Sequence, residues 1–117
     1  MPVKNRTRKT IISKDMKTCR SLLCQFLGVM FRRSSYLKDR VLIFELAWPQ
    51  HVTLHMFFVF FAIDIIYLDA KRRVVRLKEN FLPFTVFVPG KIAKYIIECE
   101  KGTIKKTGTK VGDRIDF

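Results

Sequence analysis

The chain has 117 residues, of which 49% are hydrophobic, and it contains eleven phenylalanines. This length suits one domain with one core, and the hydrophobic content excludes an intrinsically disordered chain. We therefore expect a single domain over residues 1–117, in which residues 1–4 form a flexible basic tail.

The formal net charge is +13, and residues 1–40 hold eleven Lys and Arg against two Asp. A basic segment attracts phosphate groups or anionic lipid head groups through long-range electrostatics, but it also keeps a phenylalanine-rich protein in solution. Both interpretations stay open. The candidates for polyanion binding are Lys4, Arg6, Arg8, Lys9 and Arg33, together with Arg32.

The three cysteines, Cys19, Cys24 and Cys99, show no Cys-x-x-Cys spacing. This pattern favours free thiols in a reducing compartment over a disulfide framework or a zinc site. Residues 1–17 are basic and lack the apolar segment of a signal peptide, so we expect a cytoplasmic protein. The longest uninterrupted apolar run, residues 56–63, is far shorter than the roughly 20 residues of a transmembrane helix.

One strong helical pattern lies near the N-terminus. Its apolar residues recur at helical spacing and fall on one face, which predicts an amphipathic helix capped by Asp15 or Thr18. We expect this helix to pack on the protein's own sheet, although such a face could also bind a partner or a membrane. The face consists of Cys19, Leu22, Leu23, Phe26, Leu27 and Met30.

Short apolar runs separated by turn residues dominate the rest of the chain. Residues 5–14 predict an edge strand, 69–72 a hairpin turn, and 102–108 a single helical turn closed by a glycine C-cap. The pattern predicts a mainly β fold: a compact antiparallel β-sandwich or barrel-like fold with one N-terminal amphipathic helix and a short helical turn near the C-terminus. The other predicted strands are 41–46, 56–61, 63–68, 73–79, 84–88, 94–99 and 113–117.

Four segments match a known pattern in order along nearly the whole chain. FLGVMFRR at 26–33 is similar to a Gly-Leu-Met-Phe-Arg signature, and HMFFVFFAIDIIYLD at 55–69 resembles a central block with Pro-Ile-Asp. Residues 88–98 look like a Pro-x-Lys-Tyr-Val-Leu-Glu stretch, and GTKVGDRIDF at 108–117 looks like a closing Lys-x-Gly-Asp-Arg segment. The chain thus resembles the domain-of-unknown-function family 192, an uncharacterised prokaryotic family.

The resemblance implies a compact, mostly β fold with a helix near the N-terminus, in a member of the cytoplasmic type. It implies no established activity. Ala62 stands where the family usually has proline, and Arg72 stands where a glycine often closes the hairpin. A positive φ at Arg72 would cost about 1 kcal/mol.

The most informative polar residue is Asp64, which interrupts an apolar strand on the same side as Ile66 and Leu68. A buried carboxylate must be hydrogen-bonded, paired or protonated. In the structural interpretation, backbone N–H groups or Arg32 satisfy it; in the functional one, it orients a ligand in a pocket. The ligand-binding candidates are Arg32, His55, Asp64 and Glu98, with Glu98 expected at the rim.

No motif in the sequence indicates a cofactor, a metal site or covalent catalysis, and we expect none. The leading hypothesis is a non-enzymatic binding module with a pocket around Asp64, whose partner is a small molecule or a protein. The first alternative is a nucleic-acid or ribonucleoprotein accessory factor. The second is a small acid–base enzyme that uses Asp64 and His55. The sequence leaves the oligomeric state open.

Overall fold

The computed structural model describes residues 2–21, 28–30 and 32–117. Within these ranges the chain forms ten strands, a 3-10 turn (Ser34–Leu37) and one short α-helix, α1 (Thr103–Thr107). The strands are β1 (Val3–Asn5), β2 (Thr10–Ser13), β3 (Asp15–Cys19), β4 (Arg40–Gln50), β5 (Leu54–His55), β6 (Ile63–Leu68), β7 (Val74–Phe81), β8 (Val86–Phe87), β9 (Ala93–Glu100) and β10 (Ile115–Asp116).

A five-stranded sheet in the order β3-β4-β9-β6-β7 forms the centre of the molecule. The prediction of a mainly β fold is confirmed, but the sheet is mixed, because β3 runs parallel to β4. The connection between Cys19 and Arg40 is long enough to return the chain to the same end of the sheet, as a parallel pair requires. Among the described strands, no sheet closes on itself.

The middle of this sheet is buried on both faces, and β6 is buried at every residue, whereas the edge strands β3 and β7 are partly exposed. On the first face, Ile63, Ile65 and Tyr67 pack beneath the two-stranded sheet of β5 and β8 and the loop that follows β5. On the second face, Ile66 and Leu68 pack against the three-stranded sheet β10-β1-β2 and against α1. A strand covered on both sides reads as a continuous apolar run, which explains the sequence of β6.

The N-terminal segment departs from the predictions. Residues 5–14 were expected to form one edge strand, yet they belong to the hairpin of β1 and β2, whose turn is fixed by the Arg8 N–H donating to Asn5 Oδ1 at 3.0 Å. Val3 and Lys4, which were predicted to belong to a flexible basic tail over residues 1–4, lie in β1. Val3 is held because its side chain is buried in the core of the second face.

The described parts of the amphipathic helix predicted over residues 19–30, namely residues 19–21 and 28–30, are not helical. Cys19 is the last, buried residue of β3, and residues 28–30 form a turn in which Gly28 has a φ of +48°. The remaining helix positions, 22–27, lie outside the described residues. Cys19 is disulfide-bonded, so the expectation of free thiols is wrong at this position, whereas Cys99 is free and buried.

The loop after β5 also differs from the prediction of a strand over residues 56–61. Met56 and Val59 are buried on the first face, while Phe57, Phe58 and Phe60 are exposed. This spacing of buried residues is that of a turn, and the Val59 N–H donates to the Met56 carbonyl at 3.2 Å. The unbroken apolar run concealed the turn, because period-2 alternation cannot be detected in it.

Two turn predictions are confirmed. The hairpin between β6 and β7 closes where the Arg72 N–H donates to the Asp69 carbonyl at 3.0 Å, and α1 ends at Gly108, whose φ is +69°. Among the described residues, no helix is long and apolar enough to cross a bilayer.

Arg72 has the left-handed backbone that usually favours glycine, with a φ of +63°. Its side chain offsets this strain: Nη1 donates to the Phe117 carbonyl at 2.6 Å, and the guanidinium lies 3.9 Å from the centroid of the Phe117 ring. The strain and the contacts can therefore be separated by substitution.

Arg72→Ala and Arg72→Gly both remove the side-chain contacts, but only glycine removes the backbone strain. We expect Arg72→Gly to unfold with a free energy about 1 kcal/mol higher than Arg72→Ala, as measured by urea denaturation. The neighbouring Lys71 is exposed and has no positive φ, so Lys71→Gly should be no more stable than Lys71→Ala. Equal stability of the two Arg72 variants would show that the turn is unstrained.

Candidate functional site

Asp64 lies on the second face of the central sheet and is 1% exposed. Its carboxylate accepts three backbone hydrogen bonds: Oδ1 from the Asn80 N–H at 2.9 Å, and Oδ2 from the Gly102 N–H at 3.1 Å and the Ile104 N–H at 3.0 Å. The side chain thus joins β6 to the end of β7 and to the first turn of α1. Such a carboxylate caps helix donors that have no partner within the helix.

This geometry favours the structural interpretation of Asp64. Its two oxygens are occupied by backbone donors from two other elements, so that ligand binding would require breaking them. The Cys99 thiol donates to the Asp64 main-chain carbonyl at 3.4 Å, and burial raises the pKa of that thiol well above its ordinary value. Neither group has the exposed, activated character of a catalytic residue.

Glu98 lies on the first face of the sheet, between Leu42 of β4 and Ile65 of β6. It was expected at the rim, but it is buried, at 8% exposure, and its Oε2 has no hydrogen-bond partner among the described residues. Burial raises the pKa of Glu98 to about 8. At neutral pH the side chain is therefore mostly a neutral carboxylic acid, which can donate as well as accept a hydrogen bond.

Tyr67 provides a second buried polar group on this face. Its hydroxyl has no hydrogen-bond partner among the described residues, and its side chain is fully buried. Burial raises the pKa of Tyr67, and the nearby Glu98 carboxyl raises it further. Since a buried polar group without a partner costs about 1–3 kcal/mol, two of them on one face mark a place that calls for a functional explanation.

A cavity of about 180 Å³ adjoins Glu98, and we call it the Glu98 cavity. Gly28 forms part of its wall, and a Cβ atom at this position would lie 3.3 Å from Glu98 Oε1. Both the positive φ of Gly28 and the proximity of the carboxyl therefore favour glycine at this position. The described lining residues are Gly28–Met30, Val52–Met56, Val59 and Glu98.

His55 lies in the wall of the same cavity. Its Nδ1 accepts the Phe57 N–H at 3.3 Å, and its ring stacks on the Phe57 ring with centroids 5.1 Å apart. An accepting Nδ1 requires the tautomer in which Nε2 carries the proton. Two of the predicted ligand-binding residues, His55 and Glu98, therefore meet at one cavity, whereas Asp64 lies on the other face of the sheet.

Arg32, the fourth candidate, stacks its guanidinium 4.4 Å from the centroid of the Tyr36 ring and is exposed. It is not among the described residues that line the Glu98 cavity, and in the described residues Asp64 is satisfied by backbone groups rather than by Arg32.

The polyanion-binding candidates differ in whether their side chains already have an acidic partner. Lys4, Arg6, Lys9 and Arg33 are exposed. Arg8 is also exposed, but it donates through Nε to the buried Asp113 Oδ2 at 3.1 Å, and Arg6 Nε lies 4.0 Å from Asp116 Oδ2. Burial opposes ionisation of Asp113, but hydrogen bonds from Asn5, from the Lys110 N–H and from Arg8 outweigh it and lower the pKa of Asp113. Arg8 is thus tied to a buried carboxylate, which leaves it less free to bind phosphate than Lys4 or Lys9.

The residues that the sequence analysis missed are Gly28 and Tyr67. Gly28 stands in the FLGVMFRR segment, and its role depends on a contact with Glu98, seventy residues further along the chain. Tyr67 gave no signal, because a tyrosine in an apolar strand is ordinary core composition.

Comparison with known proteins agrees with this fold. The model of the family DUF192, described as "Uncharacterized ACR", matches residues 3–117. The chain belongs to DUF192. The chain is 34% identical to a UPF0127 protein of Pyrococcus furiosus. The alignment spans 115 residues, which are 97% of this chain and 95% of that protein. The chain is 33% identical to a UPF0127 protein of Thermococcus sibiricus, over 97% of this chain and 72% of that one.

A similar solved structure is that of a protein of unknown function from Novosphingobium aromaticivorans. The TM-score is 0.87 at 24% identity, with 100% of this chain and 84% of that chain covered. At this identity the likeness concerns the fold alone. Within this DUF192 chain, three of the segments that carry the family resemblance, those of Gly28, His55 and Glu98, meet at the Glu98 cavity.

The role of Asp64 can be tested by Asp64→Asn, which keeps the shape but directs an NH2 group toward backbone donors. We expect the free energy of unfolding to fall by about 2–4 kcal/mol, because at least one buried N–H loses its acceptor. Urea denaturation measures this loss. Asp39→Asn is the matched control, because Asp39 is exposed and asparagine tolerates its φ of +57°. A loss below about 1 kcal/mol at Asp64 would contradict the structural role.

Proposed function

We propose that this protein is a non-enzymatic binding module for a small, uncharged polar molecule, which it holds in the Glu98 cavity. The observation that carries the proposal is the buried Glu98 carboxyl, whose Oε2 has no partner among the described residues and which adjoins an open cavity. The proposal keeps the binding module predicted from the sequence but moves its pocket from Asp64 to Glu98.

The chemistry of the ligand follows from the groups around the cavity. Glu98, with a pKa of about 8, is mostly protonated at neutral pH, so that it offers one donor and one acceptor. The rest of the described wall is mainly apolar, with Val29, Met30, Leu54 and Val59. A small amide or alcohol satisfies such a site, because it exchanges donor and acceptor with the acid and presents carbon to the walls. A cavity of this size accommodates only a small molecule or the end of a larger one.

The alternatives have weaker support. An acid–base enzyme using Asp64 and His55 would need both groups at one substrate. His55 lies on the first face of the central sheet, whereas Asp64 lies on the second face, where backbone N–H groups hold its carboxylate. Support for a nucleic-acid role is weaker because Arg8 is paired with Asp113. Lys4, Arg6 and Lys9 are exposed on the β1–β2 hairpin. The cytoplasmic location stays a prediction, and the disulfide at Cys19 counts against it, because disulfides are rare in most cytosolic proteins.

Glu98→Leu provides a sharp test, because binding and stability should change in opposite directions. Leucine suits the neighbouring Leu42 and Ile65 and removes the unpartnered acid, so we expect the free energy of unfolding to rise by about 1–3 kcal/mol. The gain should grow as pH rises from about 5 toward 8, because in this window the folded wild type binds more protons than the unfolded chain and its stability declines.

Binding is measured by amide NMR titration with acetamide and glycerol as uncharged probes, and with acetate and ethylammonium as charged ones. The uncharged probes should shift the signals of Gly28, Val29 and His55 in a saturable manner, and Glu98→Leu should abolish the effect. Glu79→Leu, at an exposed position of β7, is the matched control and should bind like the wild type. The proposal fails if no probe perturbs these signals or if Glu98→Leu binds equally well.

A further inference from the structure

Four phenylalanine side chains project from one end of the molecule, and we call them the aromatic tip: Phe57, Phe58, Phe60 and Phe84. They are between 46% and 65% exposed. The Phe84 ring makes edge contacts with Phe58 and Phe60, with centroids 6.4 Å and 5.5 Å apart. Exposed apolar groups scattered singly are ordinary, but a contiguous aromatic cluster marks an interaction surface.

The fold holds these rings outward. The loop after β5 is anchored by the buried Met56 and Val59, and Met56 exchanges backbone hydrogen bonds with the opposite segment, from the Phe84 N–H and to the Thr85 carbonyl, at 2.8 Å each. Phe58 and Phe84 have φ values of 59° and 58°, in the left-handed region that is unfavourable for bulky residues. A backbone strained at two exposed aromatic residues indicates a functional constraint on their position.

A basic surface lies next to the loop that carries the aromatic tip, because Phe61, the residue after Phe60, lines it. A cavity shared by Phe61, Ala62, Lys38 and Lys101 lies at the end of the sheet where Ile63 pairs with Glu100. It meets a second cavity of about 400 Å³, in which Lys14, Arg40, Lys101 and Lys106 outnumber Asp39 and Glu100. We call this surface the basic groove; its five cations are Lys14, Lys38, Arg40, Lys101 and Lys106. No ion pair among the described residues involves any of them.

We propose that the aromatic tip and the basic groove together form a docking surface for anionic phospholipid bilayers. Aromatic rings enter the interfacial region of a bilayer, and neighbouring lysine and arginine side chains bind anionic head groups; stable attachment usually needs both signals. The aromatic tip supplies the first and the basic groove the second. Because Phe58 and Phe60 pack edge to face against Phe84, these rings suit insertion better than the parallel stacking of bases. This inference is independent of the Glu98 cavity.

The test is co-sedimentation of the full chain with vesicles of phosphatidylcholine alone and of phosphatidylcholine with about 30% phosphatidylserine. The wild type should sediment only with the anionic vesicles, and raising the salt from about 50 mM to about 500 mM should release it. The double variants Phe60→Ser/Phe84→Ser and Lys38→Glu/Lys101→Glu should each weaken binding by roughly tenfold or more.

Matched controls lie at the opposite end of the sheet. Trp48, which is 64% exposed, lies near the pairing of Gln50 with Ala93, and Lys71 lies in the β6–β7 hairpin. Trp48→Ser and Lys71→Glu should bind like the wild type, and all variants should keep the wild-type circular dichroism spectrum.

Three results would overturn the proposal. The first is absence of wild-type binding to anionic vesicles at low salt. The second is an equal loss in Trp48→Ser and in the Phe60/Phe84 double variant. The third is that the wild type fails to bind vesicles but is retained on immobilised polyuridylate, and that this retention requires Phe60 and Phe84. Such a result would assign the surface to single-stranded RNA instead.

Discussion

The burial of β6 and β9 on both faces constrains every polar side chain that these strands carry. A carboxyl inside such a sheet must find hydrogen-bond donors, take up a proton, or destabilise the fold. Asp64 and Glu98 lie on opposite faces and meet this constraint in different ways. Asp64 is satisfied by the N–H groups of Asn80, Gly102 and Ile104, and it thereby fixes α1 and the end of β7 to the central sheet.

Glu98 has no equivalent set of donors. Its surroundings are Leu42, Ile65 and the bare backbone of Gly28, and its charge is suppressed by a raised pKa. The fold retains this unfavourable group next to an open cavity, with a second unpartnered hydroxyl, that of Tyr67, on the same face. Stability alone would favour an apolar residue at this position, and this is why we propose a ligand site at Glu98 rather than at Asp64.

The sequence predicted those parts of the fold whose signal is local. The strand at 63–68, the hairpin at 69–72 and the glycine-closed helical turn near the C-terminus all follow from short-range patterns, and the structure contains them. The position of Asp64 on the side of Ile66 and Leu68 followed from the period of a strand. The family resemblance was also correct.

Features that depend on distant contacts were not predictable in this way. Whether Glu98 lies at a rim or in a core depends on what covers the first face. Gly28 and the loop after β5 cover it, and both are distant from Glu98 in the sequence. The turn at residues 56–61 was hidden because all six residues are apolar. Cys19 has helical spacing relative to Met30, yet it ends a strand, since pairing of β3 with β4 overrides the local pattern.

The central claim is that Glu98 is a buried, mostly protonated acid at neutral pH. The most direct test follows the carbon chemical shift of the Glu98 side-chain carboxyl in the ligand-free protein from about pH 4 to about pH 10. The account predicts a titration midpoint at about 8. A midpoint near the ordinary glutamate value of 4.5 would show that the carboxyl is solvated or paired, and would contradict the account.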